Sequence, residues 1–128
     1  MADKYGVISV YEELDPEFER QIKALGCYDR MTSLRPIRIP IPEMSKHKKE
    51  IENRFMEMAH HQINEEGAQL IVEGCGAVFA NLGFGAKERM EKKLGVPILP
   101  NYGVAIKTLE MLVSLKLTHS KKTYPMPS

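Results

Sequence analysis

Hydrophobic residues along the chain fall into short runs that alternate with longer stretches of helical spacing. The short runs are rich in β-branched residues, which favours strands. They lie at residues 5–10, 33–41, 70–73 and 96–99. The longer stretches repeat apolar positions every three or four residues, which predicts amphipathic helices. They lie at residues 15–26, 46–66, 81–94 and 102–117.

Local signals support several of these boundaries. Asp15 and Pro16 suit the N-cap and the first position of the first helix, and Ser45 suits the cap of the second. Three prolines confine the second strand to a short or edge position; they are Pro36, Pro40 and Pro42. The longest helix presents one apolar face, formed by Ile51, Phe55, Met58, Ala59 and Ile63.

A chain in which strands and helices alternate four times predicts an α/β fold. We expect a four-stranded parallel sheet with helices on both faces, a flavodoxin-like three-layer sandwich. Residues 1–117 would form this single domain, and residues 118–128, which contain two prolines, would form a C-terminal tail. In such folds ligands bind beyond the carboxyl ends of the strands.

Composition narrows the class of protein. The chain has 128 residues, 43% of them hydrophobic, with a formal net charge of +1. This near-neutral charge gives no electrostatic footprint for nucleic acid or for an anionic membrane. No apolar run approaches the roughly 18 residues of a membrane span, and the first residues do not resemble a signal peptide. We therefore expect a cytoplasmic protein without nucleic-acid or membrane partners.

The cysteines and histidines do not predict a disulfide scaffold or a metal site. Cys27 and Cys75 are the two cysteines, and they form no CxxC pair. His60 and His61 are adjacent, so they face different directions on a helix and are not part of an HExxH motif. We expect no bound metal.

The sequence Gly74-Cys75-Gly76 is the strongest candidate for chemistry. It follows a predicted central strand and precedes a helix, where backbone N–H groups favour a thiolate that could act as a base or nucleophile. A small buried cysteine between two turn glycines is the structural alternative. The Glu73 carboxylate disfavours a thiolate unless strand alternation points it to the other face. Cys27 does not follow a strand, so the same rule does not select it.

Two glycine pairs suggest phosphate loops only weakly. Gly74 with Gly76, and Gly83 with Gly85, do not complete a GxGxxG or a P-loop pattern. The charged stretch at residues 87–93 is most simply an exposed helix face with Glu/Lys pairs. Nucleotide binding is therefore not favoured.

Four segments together resemble the aspartate/glutamate/hydantoin racemase superfamily, and hydantoin racemases most closely. Residues 66–76 resemble the strand and second cysteine loop of that family, and residues 94–100 (LGVPILP) resemble the strand that follows. Residues 104–117 resemble its final helix, and the tail from 117 to 127 is similar to the ending of hydantoin racemases. The resemblance covers nearly the whole chain.

The resemblance implies a cofactor-independent racemase built from two similar α/β domains, of which this chain matches the C-terminal one. In that family each domain contributes one cysteine, on opposite faces of the substrate Cα. One thiolate removes the α-proton and the other thiol returns a proton. Cys75 corresponds to the C-terminal cysteine, while Cys27 lies where the family has a helix end. No metal or pyridoxal phosphate is needed, so no cofactor is expected.

Residues near Cys75 are candidates for substrate binding. Gly74, Gly76 and the turn at Asn101 and Tyr102 would offer backbone N–H groups to a substrate carboxylate or imide. The chain departs from the family pattern at Glu73, usually apolar, at Gly76, often Ala or Thr, and at Pro100-Asn101, usually acidic. Glycine at position 76 also resembles the arylmalonate decarboxylase branch, in which this cysteine alone protonates an enediolate.

The sequence leaves several functions open. The first is racemisation of a hydantoin or an acidic amino acid, with this chain supplying one of two cysteines. The second is a non-catalytic or partner-dependent module that binds a small molecule, and a third is decarboxylase-like chemistry with one cysteine. Because two-base racemisation needs an acid and a base on opposite faces, we expect either a homo-oligomer or a missing N-terminal domain as partner. A response-regulator module is disfavoured, because the first strand ends without an acidic cluster.

Overall fold

The predicted four-stranded parallel sheet is confirmed. The computed structural model describes residues 1–125 and 127. All strand pairs are parallel and the strand order is β2-β1-β3-β4, so β2 lies at an edge, as its prolines predict. The strands are β1 (Tyr5–Ser9), β2 (Met31–Pro36), β3 (Ile71–Glu73) and β4 (Ile98–Leu99).

Among the described residues, five α-helices connect and follow the strands. They are α1 (Asp15–Ala24), α2 (Lys48–Asn64), α3 (Ala77–Leu82), α4 (Ala86–Leu94) and α5 (Asn101–Ser114). Right-handed crossovers place α2, α3 and α4 on one face of the sheet, where they contact one another. Helices α1 and α5 lie on the other face, and Phe18 of α1 and Val104 of α5 line a common groove.

The hydrophobic core lies on the α2 face of the sheet. Strand register places Ile71 beside Ile98, and Ile8 belongs to the same buried cluster. From α2, Ile51 and Phe55 complete this layer and are fully buried. Helices α1 and α5 bury no residue. Most apolar burial is therefore on one side, and the second face is sparsely covered.

One predicted helix is in fact two. The sequence pattern predicts a single helix over residues 81–94, whereas the structure has α3 and α4 separated by a tight connection. Gly83 (φ +86°) and Gly85 (φ +78°) adopt the left-handed backbone that glycine tolerates best. The prediction was wrong because the helical spacing of charged residues in α4 does not show where that helix begins, so the predicted helix ran on into α3.

Two predicted caps are also wrong. Asp15 is the first residue of α1 and Leu14 takes the N-cap position, because a short 3-10 helix at Glu12–Leu14 leads into α1. Ser45 lies inside the 3-10 helix Ile41–Lys46, and His47 is the N-cap of α2.

Most of the apolar side chains of helix α5 are exposed. These exposed side chains are Val104, Ile106, Leu109, Met111 and Val113, and Leu115, which follows the helix, is exposed as well. After α5, the predicted tail forms a turn in which the Tyr124 amide donates to the Ser120 carbonyl at 2.8 Å. Met126 and Ser128 of that tail lie outside the described residues. Within the part of the chain that is described, no helix is long and apolar enough to cross a membrane.

Candidate active site

The Cys75 loop leaves the carboxyl end of β3, next to the centre of the sheet. Cys75 is a free, half-buried thiol that packs against the core cluster. It stands between β3 and α3, which is where ligand sites of doubly wound sheets lie. The structure therefore positions this thiol at the sheet edge that the sequence pattern selects for chemistry.

Gly74 continues the sheet before the loop departs. Its amide donates to the Ile8 carbonyl at 2.8 Å. A Cβ at this position would approach the same carbonyl oxygen to 2.9 Å, and backbone cannot easily move aside. The Gly74 amide is thus already engaged within the chain.

The aromatic ring of Tyr102 lies directly over Gly76. A Cβ at Gly76 would stand 2.6 Å from Cζ of Tyr102. The backbone of Gly76 is helical (φ −59°), so the requirement for glycine comes from this close approach and not from backbone strain. Tyr102 is the second residue of α5 and is 58% exposed. The contact brings two predicted site residues together beside Cys75.

Replacing Gly76 with alanine is expected to destabilise the protein by no more than about 1 kcal/mol, because the new methyl group overlaps only the outer atoms of the Tyr102 ring, which is largely exposed and can move aside. The same substitution in a Tyr102→Ala background should cost much less, since the obstructing ring is gone. Urea denaturation of the four proteins of this double-mutant cycle checks the prediction. An equal cost in both backgrounds would show that the ring does not set the requirement for glycine.

Glu73 is buried at the end of β3 and joins the two helices that flank the loop. Its Oε1 accepts the Phe79 amide of α3 at 3.0 Å, and its Oε2 accepts the Asn101 amide of α5 at 2.9 Å. Burial raises the pKa of the Glu73 carboxyl, and the two amide hydrogen bonds oppose part of that rise. The Asn101 amide is therefore occupied, and the exposed Asn101 side chain remains for other contacts.

The raised pKa of Glu73 predicts a pH dependence of stability. A carboxyl whose folded pKa is raised contributes stability below its unfolded pKa, about 4.3, and loses it as pH rises through the folded value. We expect the free energy of unfolding of wild type, relative to Glu73→Gln, to fall from about pH 4 upward and level off above the folded pKa. Urea denaturation across this pH range provides the measurement. A relative stability that increases with pH would contradict the predicted direction.

Cys27 lies at the opposite edge of the sheet from Cys75. Its carbonyl accepts the Tyr5 hydroxyl at 3.0 Å, at the amino end of β1, and it precedes the start of β2. Strand β1 has four residue steps of about 3.3 Å, so at least about 13 Å separates the two edges. Cys27 therefore does not face Cys75 across a shared site within one chain.

Sequence reasoning missed polar groups at the carboxyl end of β1. Ser9 donates through Oγ to Asp15 Oδ1 at 2.8 Å, and both lie at the same sheet edge as the Cys75 loop. Burial raises the pKa of the Asp15 carboxyl, while the Ser9 hydrogen bond opposes that rise. Nearby, Arg38 Nε donates to Glu12 Oε2 at 2.9 Å. A signal was available for Ser9, because it is the last residue of a strand.

An apolar groove of about 330 Å³ begins at the loop and runs over the thinly covered face of the sheet. Gly74 and Asn101 lie at one end, and Val72, Leu99 and Phe18 line its floor and side. No group of three side chains suited to holding a metal ion occurs among the described residues.

The fold and the site together define a class: a doubly wound α/β unit that carries a free cysteine just beyond the carboxyl end of its third strand. No model of a known protein family matches the chain. Over nearly its whole length, however, it is similar to hydantoin racemases. The relative from Pseudomonas sp. (strain NS671) is 24% identical over 130 residues, which is 99% of this chain. Those from Rhizobium meliloti and Paenarthrobacter aurescens are 24% and 22% identical over 97% and 100% of the chain.

Two solved structures also match nearly the whole chain. Allantoin racemase from Pseudomonas fluorescens superposes with a TM-score of 0.84 at 28% identity and covers 98% of this chain. Allantoin racemase from Klebsiella pneumoniae, at 22% identity, shares the fold with a TM-score of 0.82. The resemblance predicted from the sequence is confirmed. The chain spans about half the length of these relatives, 49% to 52% of the three hydantoin racemases.

Proposed function

We propose that this chain is one unit of a cofactor-independent racemase, matching the C-terminal half of its two-unit relatives. Its substrate would be a hydantoin or an acidic amino acid, with the hydantoin favoured by the named relatives. The observation that carries the proposal is the free Cys75 thiol at the carboxyl edge of the sheet, in a chain similar to hydantoin racemases from end to end.

In the proposed mechanism Cys75 acts as acid or base on one face of the reacting carbon. As a thiolate it removes the α-proton and becomes a thiol, while the electron pair moves into the adjacent carbonyl. As a thiol it returns a proton to that face, and the carbonyl is regenerated. Proton transfer of this kind requires the thiol to lie within hydrogen-bond reach of the substrate proton. This chemistry uses no metal or organic cofactor.

Substrate contacts would come from the residues around the thiol. The Gly76 amide has no protein acceptor among the described residues, and Gly76 itself lies beside the Tyr102 ring. We assign it to a substrate carbonyl, because an aligned backbone amide stabilises developing negative charge. The exposed side chains of Asn101 and Tyr102 would contact the rest of the substrate. Gly74 would not be a donor, because its amide is bonded to the Ile8 carbonyl, and the same carbonyl fills its side-chain position.

Racemisation needs a second group on the opposite face, and Cys27 is at the wrong edge of the sheet to supply it. We propose that a second α/β unit supplies it, either another copy of this chain or a separate unit equivalent to the rest of the relatives. The exposed apolar surface of α5 supports such a partner, since large apolar patches mark interaction sites. Because α5 begins at Asn101 beside the Cys75 loop, a partner docked on it would lie next to the site.

The first test of the proposed activity is exchange of the substrate α-proton with solvent. The protein would be incubated in D₂O with C5-substituted hydantoins, aspartate and glutamate, and the α-proton signal followed by NMR. We expect loss of the signal with a hydantoin well above the rate in buffer. If every compound exchanged its α-proton only at the rate in buffer, the racemase proposal would be wrong. A non-catalytic module that binds a small molecule would then be the better interpretation.

The partner surface is tested by sedimentation of the wild type and of a charged variant on α5. Val113→Asp is expected to weaken association at least about tenfold, because one buried aliphatic side chain contributes about 1.5–3 kcal/mol. Leu25→Asp is the control, since Leu25 is equally exposed but lies after α1. A wild type that stays monomeric at all concentrations, with no second unit added, would exclude self-association as the source of the opposite face.

A further inference from the structure

Glu73 is the one charged side chain that is buried among the described residues, with 2% of its surface exposed. No cationic side chain pairs with it there. Its recorded partners are the backbone amides of Phe79 and Asn101. Burying a carboxylate costs free energy unless hydrogen bonds or a cation compensate for the lost contact with water. The two bonds also fix the backbone of Phe79 and Asn101 relative to the end of β3.

The two amides lie on either side of the thiol. Phe79 follows Cys75 by four residues in the first turn of α3. Asn101 begins α5 and immediately precedes Tyr102, whose ring covers Gly76. One carboxylate therefore connects the end of β3 to the first turns of both helices, and the Cys75 loop lies between these three attachment points.

We propose that Glu73 is a positioning residue for Cys75, whose carboxylate holds the thiol-bearing loop between the first turns of α3 and α5. The inference rests on the role of Cys75 proposed above. Glu73 touches no reacting atom in this scheme and acts through the backbone.

The chemistry of the side chain explains why a carboxylate stands here. Two backbone N–H groups point at one side chain, and an ionised carboxylate offers two acceptor oxygens and no donor. Glutamine offers one acceptor oxygen, and its NH₂ group would meet the second amide donor to donor. An apolar residue would leave both amides without this acceptor. Glu73→Gln therefore preserves shape and removes one attachment point.

The test compares alkylation of the two cysteines by iodoacetamide in the folded protein. We expect Cys75 of Glu73→Gln to react about fivefold faster than in wild type, the factor that corresponds to one lost hydrogen bond. Cys27 lies at the opposite edge and should keep its rate, so it serves as an internal control. Peptide mass spectrometry resolves the two sites.

Glu91→Gln is the matched control variant. Glu91 Oε1 also accepts a backbone amide, that of Ile98 at 2.7 Å, but at the amino end of β4. This variant also removes one carboxylate oxygen, the one that accepts from Lys87 Nζ at 2.8 Å, and its remaining oxygen can still accept the Ile98 amide. It should leave the Cys75 rate unchanged, because neither contact touches the Cys75 loop. Equal effects of the two variants on Cys75, a rise at Cys27 matching that at Cys75, or no change in Glu73→Gln would each overturn the proposal.

Wild-type protein provides the decision if Glu73→Gln does not fold. In NMR spectra recorded against pH, the amide protons of Phe79 and Asn101 should shift together with one midpoint, because both donate to the same carboxyl. Two different midpoints, or no shift of either amide proton, would overturn the proposed positioning role of Glu73. Neither measurement requires turnover. If Cys75 of Glu73→Gln reacts faster with iodoacetamide as predicted, but no substrate α-proton exchanges, only the racemase proposal is contradicted. If the α-proton exchanges, but the alkylation rate of Cys75 is the same in Glu73→Gln and wild type, only the positioning role is contradicted.

Discussion

Replacing Cys75 with serine is expected to lower the rate of α-proton exchange by at least about 10³-fold. The reason is that a hydroxyl is a far weaker base than a thiolate, and general acid–base groups contribute about 10²–10⁴-fold to such reactions. Serine is close to cysteine in size and the side chain is only half-buried. The loss should therefore appear in exchange and not in the free energy of unfolding, both of which are measured on the same preparation.

Cys27→Ser is the matched control for this prediction. Cys27 is also free and half-buried, but it stands at the amino end of the sheet. It should exchange the substrate proton at the wild-type rate. If Cys75→Ser kept that rate, or if both serine variants lost it equally, Cys75 would not be the proton-transfer group.

Replacing Phe55 with alanine is expected to have the largest effect on stability, a loss of about 3–5 kcal/mol. Phe55 is fully buried on α2 and meets Phe79 edge-to-face, with ring centroids 5.4 Å apart. Its removal leaves a cavity under α3, the helix whose Phe79 amide donates to Glu73. Urea denaturation monitored by circular dichroism measures the loss.

Phe84→Ala is the control for the same chemical change. Phe84 lies in the connection between α3 and α4 and is fully exposed, so its removal should change stability by no more than about 0.5 kcal/mol. A small loss for Phe55→Ala, comparable to that for Phe84→Ala, would show that the α2 face does not hold the core.

Much of the fold follows from periodicity alone. The β-branched run around Val7 and Ile8 predicts β1, and the apolar face of residues 51–63 predicts α2. The missed break at Gly83 and Gly85 is a case where charge periodicity continued across a turn. Charged side chains repeat at helical spacing on any exposed stretch, so their pattern does not report where a helix must stop.

The sequence predicts the edge of the sheet at which the candidate site lies and the cysteine that it contains. A cysteine between two glycines after an apolar run indicates where the loop lies, and Asn101 and Tyr102 follow the neighbouring strand. The hydrogen bonds of Glu73 are not predictable from the sequence, because its carboxylate accepts backbone amides that lie 6 and 28 residues away along the chain. The reason for glycine at position 76 is equally hidden, since it is the ring of Tyr102 in another helix.

The one-sided core is a further property that periodicity does not reveal. The pattern of α5 predicts an apolar helix but not which surface it covers. In the structure its apolar side chains are exposed and α1 buries none of its own. A second unit on this face would complete both the layer and the opposite side of the site, and this links the stability of the fold to the proposed chemistry.

The most direct test of the central claim separates proton exchange from inversion. Each enantiomer of a C5-substituted hydantoin would be incubated in D₂O with monomeric protein, and deuterium uptake compared with loss of optical rotation. A single thiol on one face predicts deuterium uptake by one enantiomer with retention of configuration, and racemisation only when a second unit is assembled. Equal rates of uptake and racemisation by the monomer, or no uptake by either enantiomer, would contradict the account.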